Sequence, residues 1–114
     1  MQVPLQIAFR DVGQSDALAA DIRKQAARLD RFCDHIVSCR VTLGTVAAHK
    51  NQGKLYEVHV DVRVPGDEMA SSQKHANEDA HVAIRDAFDT VQRRLEDYVR
   101  KQRGQTKRHE SANR

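Results

Sequence analysis

From Tyr56 to Val64 the chain alternates without a break. Tyr56, Val58, Val60, Val62 and Val64 fall on one side, and Glu57, His59, Asp61 and Arg63 on the other. A period of two held over this length defines a strand with one buried and one solvated face. A sheet built on such a strand has a single apolar face to cover, so the remaining elements must supply covers with one apolar stripe each.

The rest of the chain supplies them. Leu5, Ile7 and Phe9 alternate with Gln6, Ala8 and Arg10, which predicts a first strand. Gly13 and Gln14 break it, Ser15 is placed to cap a helix, and Leu18, Ile22, Ala26, Leu29 and Cys33 recur at helical spacing up to about Phe32. Val37, Cys39, Val41 and Leu43 share one face of a second strand that stops near Gly44, and a loop from Thr45 to Gly53 leads into the third. Pro65, Gly66 and Asp67 carry turn chemistry, after which Glu68 to Lys74 return as a fourth, more polar strand suited to a sheet edge. Asn77 is placed to cap a last helix with Glu78 and Asp79 in its first turn, and Ala80, Ile84, Ala87, Phe88, Val91, Leu95 and Tyr98 form its stripe.

The order β-α-β-β-β-α predicts an α+β fold. A four-stranded mixed sheet would have its first two strands joined by a right-handed parallel crossover and its later ones antiparallel, with both helices packed on one face. At 114 residues and 39% hydrophobic the chain has material for one core. Residues 1–103 are expected to form that single domain, and 104–114, which offer no apolar anchor after Gly104, a flexible basic tail.

Charge is distributed unevenly along this scaffold. Gln92 to Arg114 hold eight Lys or Arg against three acids, whereas residues 1–91 hold eleven against thirteen. Excess positive charge gathered on one long helix points to a polyanionic partner, RNA first. Arg93, Arg100 and Lys101 lie away from the stripe of the last helix and face outward. Arg23, Lys24, Arg28 and Arg31 mix with Asp21 and Asp30 on the first helix. With both helices on one face of the sheet, their outer surfaces would join in one basic strip that follows an RNA backbone by charge rather than by reading bases. The blander reading is a solvated helix face, with Asp89 to Arg93, Glu96 to Arg100 and Asp97 to Lys101 as i,i+4 pairs worth about 0.3–0.5 kcal/mol each.

Catalysis finds little footing. Cys33, His35 and Cys39 carry zinc-ligand chemistry, but no fourth ligand has a recognisable spacing and Cys39 falls on the inward face of its strand. The five glycines are too dispersed for a phosphate-cradling loop. No metal, cofactor or small-molecule substrate is expected, and the chain reads as a non-enzymatic monomer. No apolar run approaches the roughly 20 residues of a membrane span, and no secretory stretch opens the chain, so a cytoplasmic location with both cysteines reduced is expected.

The ordered set of motifs resembles the ribosome hibernation promoting factor and ribosome-associated translation inhibitor family. That family's last helix opens on Glu-Asp and continues through Ala-Ile to a basic, Leu-containing stretch, a pattern kept here by Glu78, Asp79, Ala83, Ile84, Asp89, Arg93 and Leu95. Arg28, Leu29, Asp30, Arg31 and Phe32 look like the family's ending of the first helix. The likeness covers roughly residues 4–103 and, without a further dimerisation domain, fits the short type. His81 stands where the family has Tyr, Thr90 where it tends to have Lys, and Asp97 at another usually basic place. His81 is expected to take over the packing role of the Tyr.

The resemblance implies a translation inhibitor that sits on the small ribosomal subunit, in the channel used by mRNA and tRNA. Arg93 is kept from the motif of the last helix, while Arg94, Arg100, Lys101 and Arg103 compensate from neighbouring positions outside it; with Arg23, Lys24, Arg28 and Arg31 they are the residues expected to meet 16S rRNA. A double-stranded RNA-binding module is the alternative among binding domains, although it needs bases where Glu78 and Asp79 open the last helix. A small metal-dependent enzyme built on Cys33, His35 and Cys39 is the alternative of another class.

Overall fold

A computed structural model of the chain describes residues 4–47, 53–70 and 75–112. Its elements run β1 (Leu5–Arg10), α1 (Asp16–Phe32), β2 (Ser38–Ala47), β3 (Lys54–Val64), β4 (Asp67–Ala70), β5 (His75–Asn77) and α2 (Ala80–Ala112). β1 and β2 pair in parallel from Leu5 opposite Cys39 to Arg10 opposite Gly44. β2 and β3 pair antiparallel from Ser38 opposite Arg63 to Ala47 opposite Lys54. This is the predicted mixed sheet, with the crossover through α1 and both helices on one face.

The alternation of β3 determines where the core sits. Val58, Val60, Val62 and Val64 are buried beneath Ile84, Phe88, Val91 and Leu95 of α2 and Ile22, Ala26 and Leu29 of α1. Phe88, Ile22, Leu29, Leu43, Ile84 and Leu95 are the largest side chains withdrawn from solvent. The intervening residues Glu57, His59, Asp61 and Arg63 lie on the uncovered face, as a period of two requires.

Several boundaries differ from the expectation. Among the described residues the sheet has five strands, because β4 and β5 both pair with the outer edge of β3: β4 along Asp61 to Val64, and β5 along Tyr56 to Val58. The sequence between them, Ser71 to Lys74, has no apolar residue to alternate, and short, interrupted strands are usual at an edge. That part of the expected fourth strand lies outside the described residues. β2 continues past Gly44 to Ala47, so the expected loop is shorter, and its residues 48–52 also fall outside the description.

The turns follow the chemistry of their residues. Gly66 has φ 82° directly after Pro65, the left-handed position of a type II turn joining Val64 to Asp67. Gly44 faces Arg10 across the parallel pair so closely that a Cβ there would meet the Arg10 carbonyl oxygen at 3.1 Å.

Each helix starts on a side-chain cap. The Leu18 N–H donates to Ser15 Oγ at 3.2 Å, as expected. For α2 the cap is Asp79 rather than Asn77: the His81 N–H donates to Asp79 Oδ1 at 2.9 Å, and the Asp79 N–H to Asn77 Oδ1 at 2.9 Å. Asn77 thus shapes the turn before the helix, and the two acids precede its first turn. The backbone of α2 stays helical through Gly104 to Ala112, where the sequence leads one to expect a tail. Gln, Lys, Arg, Glu and Ala dominate that stretch and are good helix formers, and one glycine costs only about 1 kcal/mol.

Candidate nucleic-acid interface

The two helices run in the same sense. His81, in the first turn of α2, meets Asp21 of α1 with Nδ1 2.7 Å from Oδ2, and further along Tyr98 and Val99 lie beside Phe32 at the end of α1. His81 is thus exposed and bridges the helices instead of packing as an aromatic. A residue that carries both a polar tip and a planar ring gives no sequence signal between these roles.

Burial of Ala19, Ile22, Ala26 and Leu29 turns Arg23, Lys24, Arg28 and Arg31 outward, and all four are exposed. Arg31 lies in the last turn, where the helix dipole favours a cation. Arg28 Nη1 donates to Gln25 Oε1 at 3.1 Å, which leaves its charge unopposed.

On α2 the five bases singled out from the sequence divide between two flanks. Arg93 and Arg100 are seven residues apart, two turns, and project from the same outward side. Arg103 lines a hollow with Phe32 at the end of α1 and so belongs to the side shared with α1. Arg94 and Lys101, also seven apart, line a groove with Asp67, Glu68 and Asp97 on the opposite flank, against β4. The single strip expected from the sequence is therefore a surface of Arg23, Lys24, Arg28, Arg31, Arg93, Arg100 and Arg103, with Arg94 and Lys101 beside acids around the edge. Periodicity assigns residues to the outside of a helix, but which flank meets the neighbouring helix is decided by tertiary packing.

Few of these charges are spent internally. Arg100 Nη1 lies 3.4 Å from Asp97 Oδ1, an i,i+3 pair in place of the i,i+4 pairs expected. Arg23, Lys24, Arg31, Arg93 and Arg103 have no ion-pair partner among the described residues. Thr90, where the resembled family carries a base, donates its hydroxyl to the Asp86 carbonyl at 3.1 Å.

The uncovered face of the sheet is different. Arg63 Nη2 is 3.2 Å from Glu68 Oε1, Arg40 is opposite Asp61 in the register, and Arg40 Nε donates to Gln6 Oε1 at 3.3 Å. These groups surround a cavity of about 310 Å³. Charges of both signs alternate there, so a polyanion gains little from that face.

Cys33 and Cys39 are free and buried. Burial, and after it the negative charge of Asp61, pushes the Cys39 thiol up from 9.0 to about 12. It stays protonated near neutrality, whereas a zinc ligand or a nucleophile must be a thiolate. His35 is exposed and lies 3.7 Å from Asp34. Among the described residues no three His, Cys, Asp or Glu gather as a metal site would require. Nor is any helix among them long and apolar enough to cross a membrane. At the start of α2 the Asp79 carboxylate occupies the N-terminal amide that a phosphate would need, which argues against the double-stranded RNA-binding geometry.

A parallel crossover, a mixed sheet and two same-sense helices with a largely basic exterior define a small α+β domain. Residues 5–103 match the family described as Sigma 54 modulation protein / S30EA ribosomal protein, and the chain belongs to that family. It is 33% identical over 90 residues to the ribosome hibernation promotion factor of Deinococcus radiodurans. That match covers 79% of this chain and 46% of the relative, so the chain spans about half the length of the curated relative it matches. Among solved structures, a ribosomal subunit interface protein from Coxiella burnetii superposes with a TM-score of 0.70 at 18% identity, over 84% of this chain and 97% of that one. The N-terminal domain of Thermus thermophilus Protein Y superposes at 0.63 and 22%, over 86% and 99%. At these identities the two structures establish the fold.

Proposed function

We infer that the chain is a ribosome-binding translation inhibitor of the hibernation type. It acts in the cytoplasm as a monomer and seats the outer surface of α1 and α2 on 16S rRNA of the small subunit. The observation that carries this reading is the asymmetry of charge: the helical surface presents Arg23, Lys24, Arg31, Arg93 and Arg103 without ion pairs among the described residues, while the sheet face balances its own. Family membership supports the ribosome as the polyanion.

The mechanism is occupation. A compact domain held by phosphate contacts in the channel for mRNA and tRNA excludes both by volume, which needs neither catalysis nor a cofactor. Affinity then comes from release of counterions and falls steeply with salt. Co-sedimentation with purified small subunits at low salt, and release as salt is raised, is the expected result. Free protein at every salt concentration would overturn the reading.

A further inference from the structure

At the end of α1 the basic surface is interrupted by an apolar one. Phe32, the last residue of the helix, is 41% exposed, although Leu29 and Cys33 beside it are buried in the core. It forms one wall of a hollow of about 230 Å³ completed by Tyr98, Val99 and Arg103 of α2 and by His35 from the connection to β2. A lone exposed aromatic is ordinary on a protein surface. This one differs in being concave, in having a second aromatic across from it, and in its rim. Arg103 stands on one side, and Arg31 precedes Phe32 in the chain, both without ion-pair partners among the described residues.

The geometry points to a binding site for one unpaired nucleobase, stacked on the ring of Phe32 with its phosphate on Arg103. The inference deepens the ribosome-binding reading and rests on it for the identity of the RNA. Single-stranded RNA is recognised by splaying bases onto aromatic faces while cations hold the backbone, and the hollow combines both within the basic surface. A peptide without acidic groups would gain from the apolar wall but not from Arg103 on its rim. Asp34 is the acid of this hollow, and its carboxylate lies 3.7 Å from His35. It repels phosphate and accepts from base N–H groups, which orients the nucleotide with its phosphate toward Arg103. The Tyr98 hydroxyl donates to the Pro65 carbonyl at 3.4 Å, a long contact that gives this ring a second point of attachment to the fold.

The test compares wild type, Phe32→Leu and Arg103→Gln for binding to small subunits across a salt series. Phe32→Leu keeps apolar bulk and removes the ring face. It is expected to weaken binding by about 5- to 100-fold with an unchanged salt slope, because a base contact releases no counterion. Arg103→Gln is expected to flatten the slope by about 0.7–0.9. Wild-type affinity in Phe32→Leu, or a changed slope, overturns the base site.

A second arm uses a short single-stranded oligoribonucleotide carrying 2-aminopurine. Its fluorescence should be quenched by the wild-type chain and not by Phe32→Leu. Quenching with no sedimentation on subunits would refute the ribosomal reading and leave the base site standing. Equal quenching by both proteins, or by neither, would refute the base site itself.

Discussion

Replacing Arg93 and Arg100 together by glutamine tests which side of α2 meets phosphate. Both side chains are exposed and project from the same side of the helix, and glutamine has nearly the helix propensity of arginine, so the fold should persist. Each lost phosphate contact flattens the dependence of log K on log salt by about 0.7–0.9, so the pair should flatten it by about 1.4–1.8. Over the decade from about 1 M to about 0.1 M salt that is a loss of about 25- to 60-fold in affinity. Arg93 should account for the larger part, since Asp97 at 3.4 Å already competes for Arg100. The control is Arg94→Gln with Lys101→Gln, which removes the same formal charge from the same helix but on the β4 flank, beside Asp67 and Glu68. Its slope should stay near that of wild type. The assay is sedimentation with purified small subunits at several salt concentrations. Equal flattening by both pairs would refute the reasoning, because binding would then follow net charge and not a particular face.

Three further outcomes concern the scaffold. Phe88→Ala removes the largest fully buried side chain and should cost about 3–5 kcal/mol in urea unfolding. Asp79→Ala removes the cap of α2 and should cost about 1 kcal/mol, read as a lower melting temperature, whereas Asn77→Ala should cost less. For Cys39 the folded state raises the thiol pKa from 9.0 to about 12, so the unfolded chain releases the proton first. Its contribution is complete below about pH 9 and is lost as pH rises towards 12. Alkaline unfolding curves should show this loss in wild type and lack it in Cys39→Ala, and Cys39 should resist alkylation at neutral pH until the chain is unfolded.

Most of the architecture was legible wherever burial follows from local period. Alternation in Tyr56 to Val64 located the buried face of β3, and the stripe of α1 with its Ser15 cap placed that helix within a residue of its observed end. Competition between equivalent groups was harder to read. Asn77 and Asp79 are both good caps, and only the path of the backbone out of β5 selects Asp79. The division of the edge into β4 and β5 depends on how far β3 outruns its return strand, which no local pattern encodes.

Helical spacing placed Arg93, Arg100 and Lys101 outward, and these and the other candidate bases are all exposed. What the sequence could not show was the azimuth of α2 about its axis, which sends Arg94 and Lys101 to the β4 side and brings Arg103 to Phe32. In the sequence Phe32 marks only the end of the first helix, outside its apolar stripe. Its exposure follows from Leu29 and Cys33 having already filled the core at that end.

The parallel pairing of β1 has a consequence for the order in which the domain opens. β3 is bonded on both edges and its four valines are withdrawn from solvent, whereas β1 is bonded on one edge and its apolar residues Leu5, Ile7 and Phe9 are only half-buried. Releasing β1 breaks one ladder and leaves the β2–β3 hairpin and α2 intact. Amide protons of β1 that point to β2 should therefore exchange through a local fluctuation, and those shared by β2 and β3 only through global unfolding. In refolding the hierarchy reverses: the hairpin closes over a short stretch of chain, while β1 must wait until α1 has docked to bring it alongside β2.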